Sequence, residues 1–523
     1  MVLGIMAAPV KVMGQTTSNL LPDEYTSEGL ITREYASEGN KGVKWRFYPN
    51  TFIMEDNGLT ILFRHTLRLQ SYSGSNTVTK NWEETSYTTQ SYNIETATQR
   101  AVMTYYESSD NMISTIAYGA FSNFTNLESV VLPQNVNGVT IGTNAFYGCE
   151  NLQTAYNMEY AYTVNPGAFK DTPLRNSIDG LNAKARLFSI GSSCNSTLTS
   201  GVINGLAFKN TKLSRVHIGN NIATIGQSAF EGCYSMTELT IGDNVTSIGA
   251  AAFGGCTGLT SISLGAGFNL NIDIPNVFDA PMNLNTISIS DDNIAYSDEG
   301  NCLVDANDVL WIGTNSSVIP DRVTTIGEKA FYGRTGLTSI VIPAGVTKIG
   351  EEAFAYCENL KMVLCMRETP PSYDASNGTT FAAIPYDAVL VVPSEAAKTA
   401  YEAANYDDYF GSIVVGKSGV VTNGINWALY PNDNGYTLEI SGKGAMADYE
   451  YESAVPWSKY NVGEDIFNKI NKVVVKEGIT HIGSYCFANL GYYLGMDGAI
   501  DVEVSLPYNL KTIAAEASRT LTV

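Results

Sequence analysis

Residues 337–360 read LTSIVIPAGVTKIGEEAFAYCENL, and this stretch decides the fold. Its centre, Ile349-Gly350-x-x-Ala353-Phe354, recurs as Ile-Gly-x-x-Ala/Cys-Phe at Ile141–Phe146, Ile225–Phe230, Ile248–Phe253, Ile326–Phe331 and Ile482–Phe487. Looser copies end at Phe121, Phe169, Phe208 and Phe278. Phe208, Phe230 and Phe253 follow one another at 22 and 23 residues, and Phe331 and Phe354 at 23. A fixed period in that range predicts a solenoid, in which no unit buries its apolar face without its neighbours. A solenoid offers a long surface rather than a pocket, so binding is the default expectation and catalysis needs separate support.

Within the unit, Ile340 and Ile342 alternate with Ser339 and Val341, the period of a strand with one buried face. Pro343 ends the strand. Gly350 suits a bend where a side chain would clash or where φ is positive. Ala353 permits close approach of the next coil, and Phe354 fills the interior. The expected architecture is a β-rich solenoid: parallel strands about 4.8 Å apart, joined by short non-β segments. The eight cysteines fit this frame. Cys149, Cys233, Cys256 and Cys357 each lie three residues after a repeat phenylalanine, where a stacked Cys serves as a small buried hydrophobe. Arg334 takes that slot in one repeat, and Cys486 takes the Ala position of its motif. Cys194, Cys302 and Cys365 are left over without ligand spacing, so disulfides are neither required nor excluded.

The strand ending in Ile-Pro, then Val-x-x-Ile-Gly-x-x-Ala-Phe-x-x-Cys-x-x-Leu, resembles the BspA-like (Treponema-type) leucine-rich repeats. The likeness covers about half the chain. It implies a bacterial cell-surface or secreted protein engaged in adhesion, with host matrix proteins or other cells as partners. Two non-repeat stretches fit the same family: residues 293–318 resemble a two-stranded insertion, and residues 366–414 resemble an array-closing segment. The expected organisation runs as follows. Residues 1–14 are a signal remnant or a tail, and 15–111 an N-terminal β region or cap. Residues 112–365 are the main array. Residues 415–465 form a β-hairpin linker module, and 466–523 start a second array that looks cut short, since Ser518 stands where Phe is due. Hairpins are expected around Asp56-Asn57-Gly58 and Asn434-Gly435, because Asn-Gly supplies positive φ.

The chain has 523 residues, 44% of them apolar, and a net charge of −21. That charge speaks against nucleic acid or an anionic membrane surface as partner. No apolar run approaches the ~20 residues of a membrane span. Met1–Gly14 is apolar, lacks a basic segment at its start and is interrupted by Lys11. His65, His217 and His481 lie far apart with no ligand spacing, so no metal site is expected. Asp298, Asp305 and Asp308 are the best acidic cluster and lack the spacing of a calcium loop. No nucleophile elbow, phosphate loop or zinc-protease motif is present, and no cofactor or enzymatic activity is expected.

The positive feature is the outward side of the strands. The residues between the inward apolar ones are Ser129 and Val131, Arg215 and His217, Glu238 and Thr240, Ser261 and Ser263, Thr286 and Ser288, Ser339 and Val341, Met362 and Leu364. This hydroxyl-rich row is the candidate binding face for a protein or a glycan, although Ser and Thr also simply suit exposed strands. Stacking aromatics are absent from it, which weakens the glycan reading. The competing readings are a structural spacer that displays the N-terminal region, or a glycan-active enzyme with its site in the N-terminal region or in 366–460.

Overall fold

The computed structural model describes residues 114–517, except 177, 180–183, 186, 270–272, 279–282, 374–378, 422–424, 433, 443, 477, 491–501 and 509, together with strands that precede residue 114. Met1–Gly14, the Asp56-Asn57-Gly58 turn, the side chain of His65 and Ser518 lie outside the described residues. The chain forms two compact units: residues 1–279 with 290–293, and residues 280–289 with 294–523.

Each coil of the first unit passes through two rows of parallel strands. One row holds Arg100–Val102, Ser129–Val131 and Thr154–Tyr156, and then Phe188–Ile190, Arg215–Ile218, Glu238–Ile241 and Ser261–Leu264. The N-terminal strand Lys44–Met54 pairs antiparallel with Ile61–Ser71, which joins this row beside Arg100–Val102. The other row holds Thr115–Ile116, Val139–Ile141, Ala161–Val164, Gly201–Ile203, Ile222–Ile225 and Ser247–Ile248. This second row, whose strands end on isoleucine or, in Ala161–Val164, on valine, replaces part of what the repeat pattern suggested would be non-β. Its strands have two to four residues, too short for alternation to show.

The motif phenylalanines form a third line of contact. Phe121, Phe146, Phe169, Phe208, Phe230, Phe253 and Phe278 stack in order, with centroids 4.8 to 5.4 Å apart and planes within 13° of parallel. That spacing is the inter-strand distance carried round the coil, and it falls in the range of offset-stacked rings. The backbone beneath is bonded as well: the N–H of Phe146, Phe208 and Phe230 donates to the carbonyl of Ala168, Ala229 and Ala252 in the next coil. This corner is tight. Two residues before the ring, Asn144, Leu206, Ser228 and Ala251 all have φ between 53° and 62°. A left-handed non-glycine costs about 1–2 kcal/mol, which the inter-coil bonds offset.

The ladder cysteines do more than fill space. The Sγ of Cys149, Cys233 and Cys256 donates to the carbonyls of Phe121, Phe208 and Phe230 in the coil before, at 3.1, 3.2 and 3.3 Å. The motif glycine is required by approach rather than by φ. A Cβ on Gly226 or Gly249 would lie 2.5 Å from the backbone of the preceding coil.

The second unit repeats the scheme and then modifies it. Its strand rows are Ser339–Ile342, Met362–Cys365, Val389–Val392 and Ser412–Val415, and Val309–Ile312, Thr325–Ile326, Lys348–Ile349 and Ser372–Tyr373. Phe331, Phe354 and Phe381 stack at 5.0 and 5.3 Å. The ladder ends where Phe410 meets Phe381 edge-on, beneath the helix Glu395–Ala403. Residues 293–318 supply the antiparallel strands Tyr296–Ser297 and Leu303–Asp305, which extend the row at Val309–Ile312. Gly313 stands against Phe331 here, and a Cβ on it would overlap that ring. Arg334 explains itself at this point. It is 1% exposed, and its Nε and Nη1 donate to the carbonyls of Gly313 and Tyr332 at 2.7 and 3.0 Å. Burial lowers its pKa to about 10, which leaves it charged at neutral pH.

Beyond the helix, Lys417–Val421, Ile425–Asn432 and Gly435–Ser441 form an antiparallel meander. Ile470–Val475 and Glu503–Ser505 then add in parallel. One face of this sheet packs on Trp457, whose Nε1 donates to the Cys486 carbonyl at 2.7 Å. Among the described residues, no helix is long and apolar enough to cross a membrane.

Phe253→Ala is expected to cost about 3–5 kcal/mol, as the deletion of a ring buried between two others. A melting temperature equal to that of the unmodified protein would refute the ladder's role. Arg334→Cys restores the usual residue of the slot and is nonetheless expected to destabilise by about 2 kcal/mol. Cysteine cannot span to both carbonyls, and a lower denaturant midpoint is the measurement that shows it.

Candidate binding face

In the first unit, parallel pairing lines Arg215 with Glu238 and Ser261, and His217 with Thr240 and Ser263. Ser189 precedes His217 in the same row. Val216, Leu239 and Ile262, and likewise Ile218, Ile241 and Leu264, point inward and are buried. Their neighbours are half-exposed. The alternation read from the sequence therefore becomes a flat face, three strands wide, whose side chains stand in two straight lines.

The face is close to neutral. Arg215 Nε donates to Glu238 Oε2 at 2.8 Å across the strands. Such a partly exposed pair contributes ~1 kcal/mol or less, but it cancels two charges. Burial pulls the His217 pKa below its ordinary 6.5, so the imidazole is neutral at physiological pH. The remaining groups are hydroxyls, which both donate and accept. On a chain of charge −21, this patch is suited to recognition by shape and hydrogen bonding.

Several expected positions do not belong to an open face. In the second unit, Thr286 and Ser288 are exposed and Ser339 is half-buried. Val341, Met362 and Leu364, however, are 6%, 4% and 2% exposed. They cluster with Val391 and with Ala428 of the strand Ile425–Asn432, which lies over them with Tyr430. The sheet Lys417–Ser441 thus covers this stretch of the row. Ser129 and Val131 are buried too, at 7% and 2% exposed, so they offer a partner no surface.

The cover left a signal in the sequence. Arg215–Ile218, Glu238–Ile241 and Ser261–Leu264 alternate polar and apolar, whereas Met362–Cys365 and Val389–Val392 are apolar throughout. Strands apolar on both sides are strands packed on both sides. Ser189 was missed because its strand, Phe188–Ile190, carries no motif.

The other candidate groups are occupied with structure. Asp305 is buried and accepts from the N–H of Asn307 and Val309 and from Trp311 Nε1. Asp308 pairs with Arg322, and Asp298 accepts from the Ile289 N–H. His481 Nδ1 lies 2.7 Å from Thr512 Oγ1. All eight cysteines are buried thiols outside any disulfide. Burial raises the thiols of Cys302 and Cys365 to about 12, which keeps them protonated and unreactive. Among the described residues, no three His, Cys, Asp or Glu side chains converge as a metal site would require.

A family model described as BspA type leucine rich repeat region matches the chain in six copies, over residues 104–200, 201–300 and 312–374. No curated protein matches it significantly. Among solved structures, it is similar to a leucine rich cell surface protein from Faecalibacterium prausnitzii A2-165, at 20% identity over 73% of this chain and 94% of that one, with a TM-score of 0.38. It is also similar to a leucine-rich repeat protein from Eubacterium ventriosum, at 14% identity over 94% and 96%, with a TM-score of 0.30. A leucine-rich repeat protein from T. pallidum follows at 14% identity over 56% and 83%, with a TM-score of 0.23. The repeat match, with the stacked phenylalanines and the paired strand rows, carries the assignment: the chain belongs to the BspA-type leucine-rich repeat family.

Proposed function

We propose that this is a non-catalytic binding protein of the cell surface or extracellular space, an adhesin that engages host matrix proteins or other cells. The face Arg215–Ser263 is the contact surface, and its two register-locked lines of side chains are the observation that carries the reading. A flat, rigid, neutral patch loses little conformational entropy on association, because its short side chains are already held by the sheet. Hydroxyls at inter-strand spacing would bond a partner's polar groups, and the Arg215–Glu238 pair would sit at the rim. Binding requires no covalent step and no cofactor. The family likeness supports the same reading.

The test is a surface-binding screen of the full chain against purified extracellular-matrix proteins at physiological salt. Thr240→Arg and Ser263→Arg, which place bulk on the middle and outer strands of the face, are expected to weaken the captured partner at least about tenfold. Ser247→Arg, at an exposed position of the other strand row, is expected to leave affinity and melting temperature unchanged. Equal affinity for all three variants would remove the face from the mechanism, and failure of every matrix protein to bind would remove the adhesin reading.

A further inference from the structure

A cleft of about 680 Å³ opens in the second unit, lined by the array strand Ser339–Ile342 on one side and by the covering sheet on the other. That volume falls within the roughly 300–1,000 Å³ of small-molecule sites. Its walls carry hydroxyls and carboxamides, among them Asn285, Asn315, Ser339, Asn426 and Ser441. Among the described residues, Lys476 is the one charged lining residue, and its ammonium lies 3.4 Å from the buried carboxylate of Glu439, so this lining is near neutral.

The array wall is held in place before any ligand arrives. Asn315 Nδ2 donates to Asn285 Oδ1 at 3.1 Å, and Asn315 Oδ1 accepts from the Gly336 N–H at 3.1 Å. Asn301 supports the same wall, donating to Thr314 Oγ1 and Ser316 Oγ at 2.7 and 2.9 Å. The opposite wall carries the Asn426 carboxamide and the Ser441 hydroxyl. Asn426 is 5% exposed and its Oδ1 has no hydrogen-bond partner. Glu439 lies behind this wall, 4% exposed and hydrogen-bonded to the lining residue Ser339.

From these features we infer that the cleft binds a short, neutral oligosaccharide. A hydroxyl is the ligand group that both donates to the carboxamide oxygens and accepts from the Ser, Thr and Asn donors that line the cleft. A strongly ionic ligand finds no uncompensated charge here. Val341, Leu506 and Pro507 add an apolar wall against which the C–H face of a sugar ring can lie. The strand Ser339–Ile342 is also the edge of its four-stranded sheet, which makes an added peptide strand the competing occupant. The short polar side chains on both walls favour the sugar. This site is independent of the face proposed above, which belongs to the other unit.

The test is calorimetric titration of the full chain with cellotriose, maltotriose, mannotriose and triacetylchitotriose. At least one is expected to bind with Kd between about 10 μM and 1 mM. Thr286→Trp and Ser505→Trp start from exposed positions on the cleft lining, so they fill the cleft without disturbing the core. Each is expected to weaken binding at least about tenfold at an unchanged melting temperature. No heat with any trisaccharide at about 10 mM would overturn the proposal. So would binding that survives both variants. A heptapeptide with the sequence of residues 337–343 that binds where no sugar does would overturn it in favour of strand addition.

Discussion

Backbone hydrogen bonding between consecutive coils sets a spacing of about 4.8 Å, and the rest of the structure follows from it. The bonds run along two strand rows and again at the phenylalanine corner. With the spacing imposed three times per coil, identical side chains at one repeat position must stack. Phenylalanines then meet ring on ring, and cysteines meet the carbonyl of the ring residue one coil back. Where glycine follows the isoleucine, as at Gly226 and Gly249, the neighbouring coil's backbone fills the place of a Cβ. The same constraint tolerates left-handed backbone at Leu206 and Ala251, where the chain must bend to return on schedule.

Departures from the repeat are compensated locally. Where residues 293–318 supply no ring below Phe331, Gly313 brings backbone to the ring face instead. Arg334 then replaces the short thiol donor with a long one that reaches two carbonyls. The array row of the second unit would otherwise expose Val341, Met362, Leu364 and Val391, and the strand Ile425–Asn432 covers them. Where the covering sheet diverges from the array, a polar cleft remains. In the first unit, Arg215 to Ser263 keep strict alternation and form a half-exposed, near-neutral face. Each surface thus follows from whether its strands are apolar on one side or on both.

Much of the scaffold was legible because the repeat writes each buried position several times over. Ile349, Ala353, Phe354 and Cys357 recur at fixed spacing, and each lies in the core. The outward positions do not recur, so the candidate face was read by alternation alone. Arg215, His217, Glu238 and Thr240 are half-exposed, whereas Ser129, Val131, Val341, Met362 and Leu364 are buried. Alternation reports which side of a strand faces the coil interior and says nothing of what lies on the other side. The all-apolar composition of Met362–Cys365 carried the missing information.

The amino-acid pattern alone determined the period, the parallel stacking, the ladder of rings and the burial of the repeat cysteines, because these depend on residues within one coil and its copy in the next. Tertiary structure decided the second strand row, the role of Arg334, the covering of the second unit's sheet and the polar cleft. Each of these joins segments distant in sequence and unlike in composition, such as Gly313 with Arg334, Leu364 with Ala428, and Asn315 with Ser441. Contacts of that kind are set by where the chain returns in space, and no local periodicity records them.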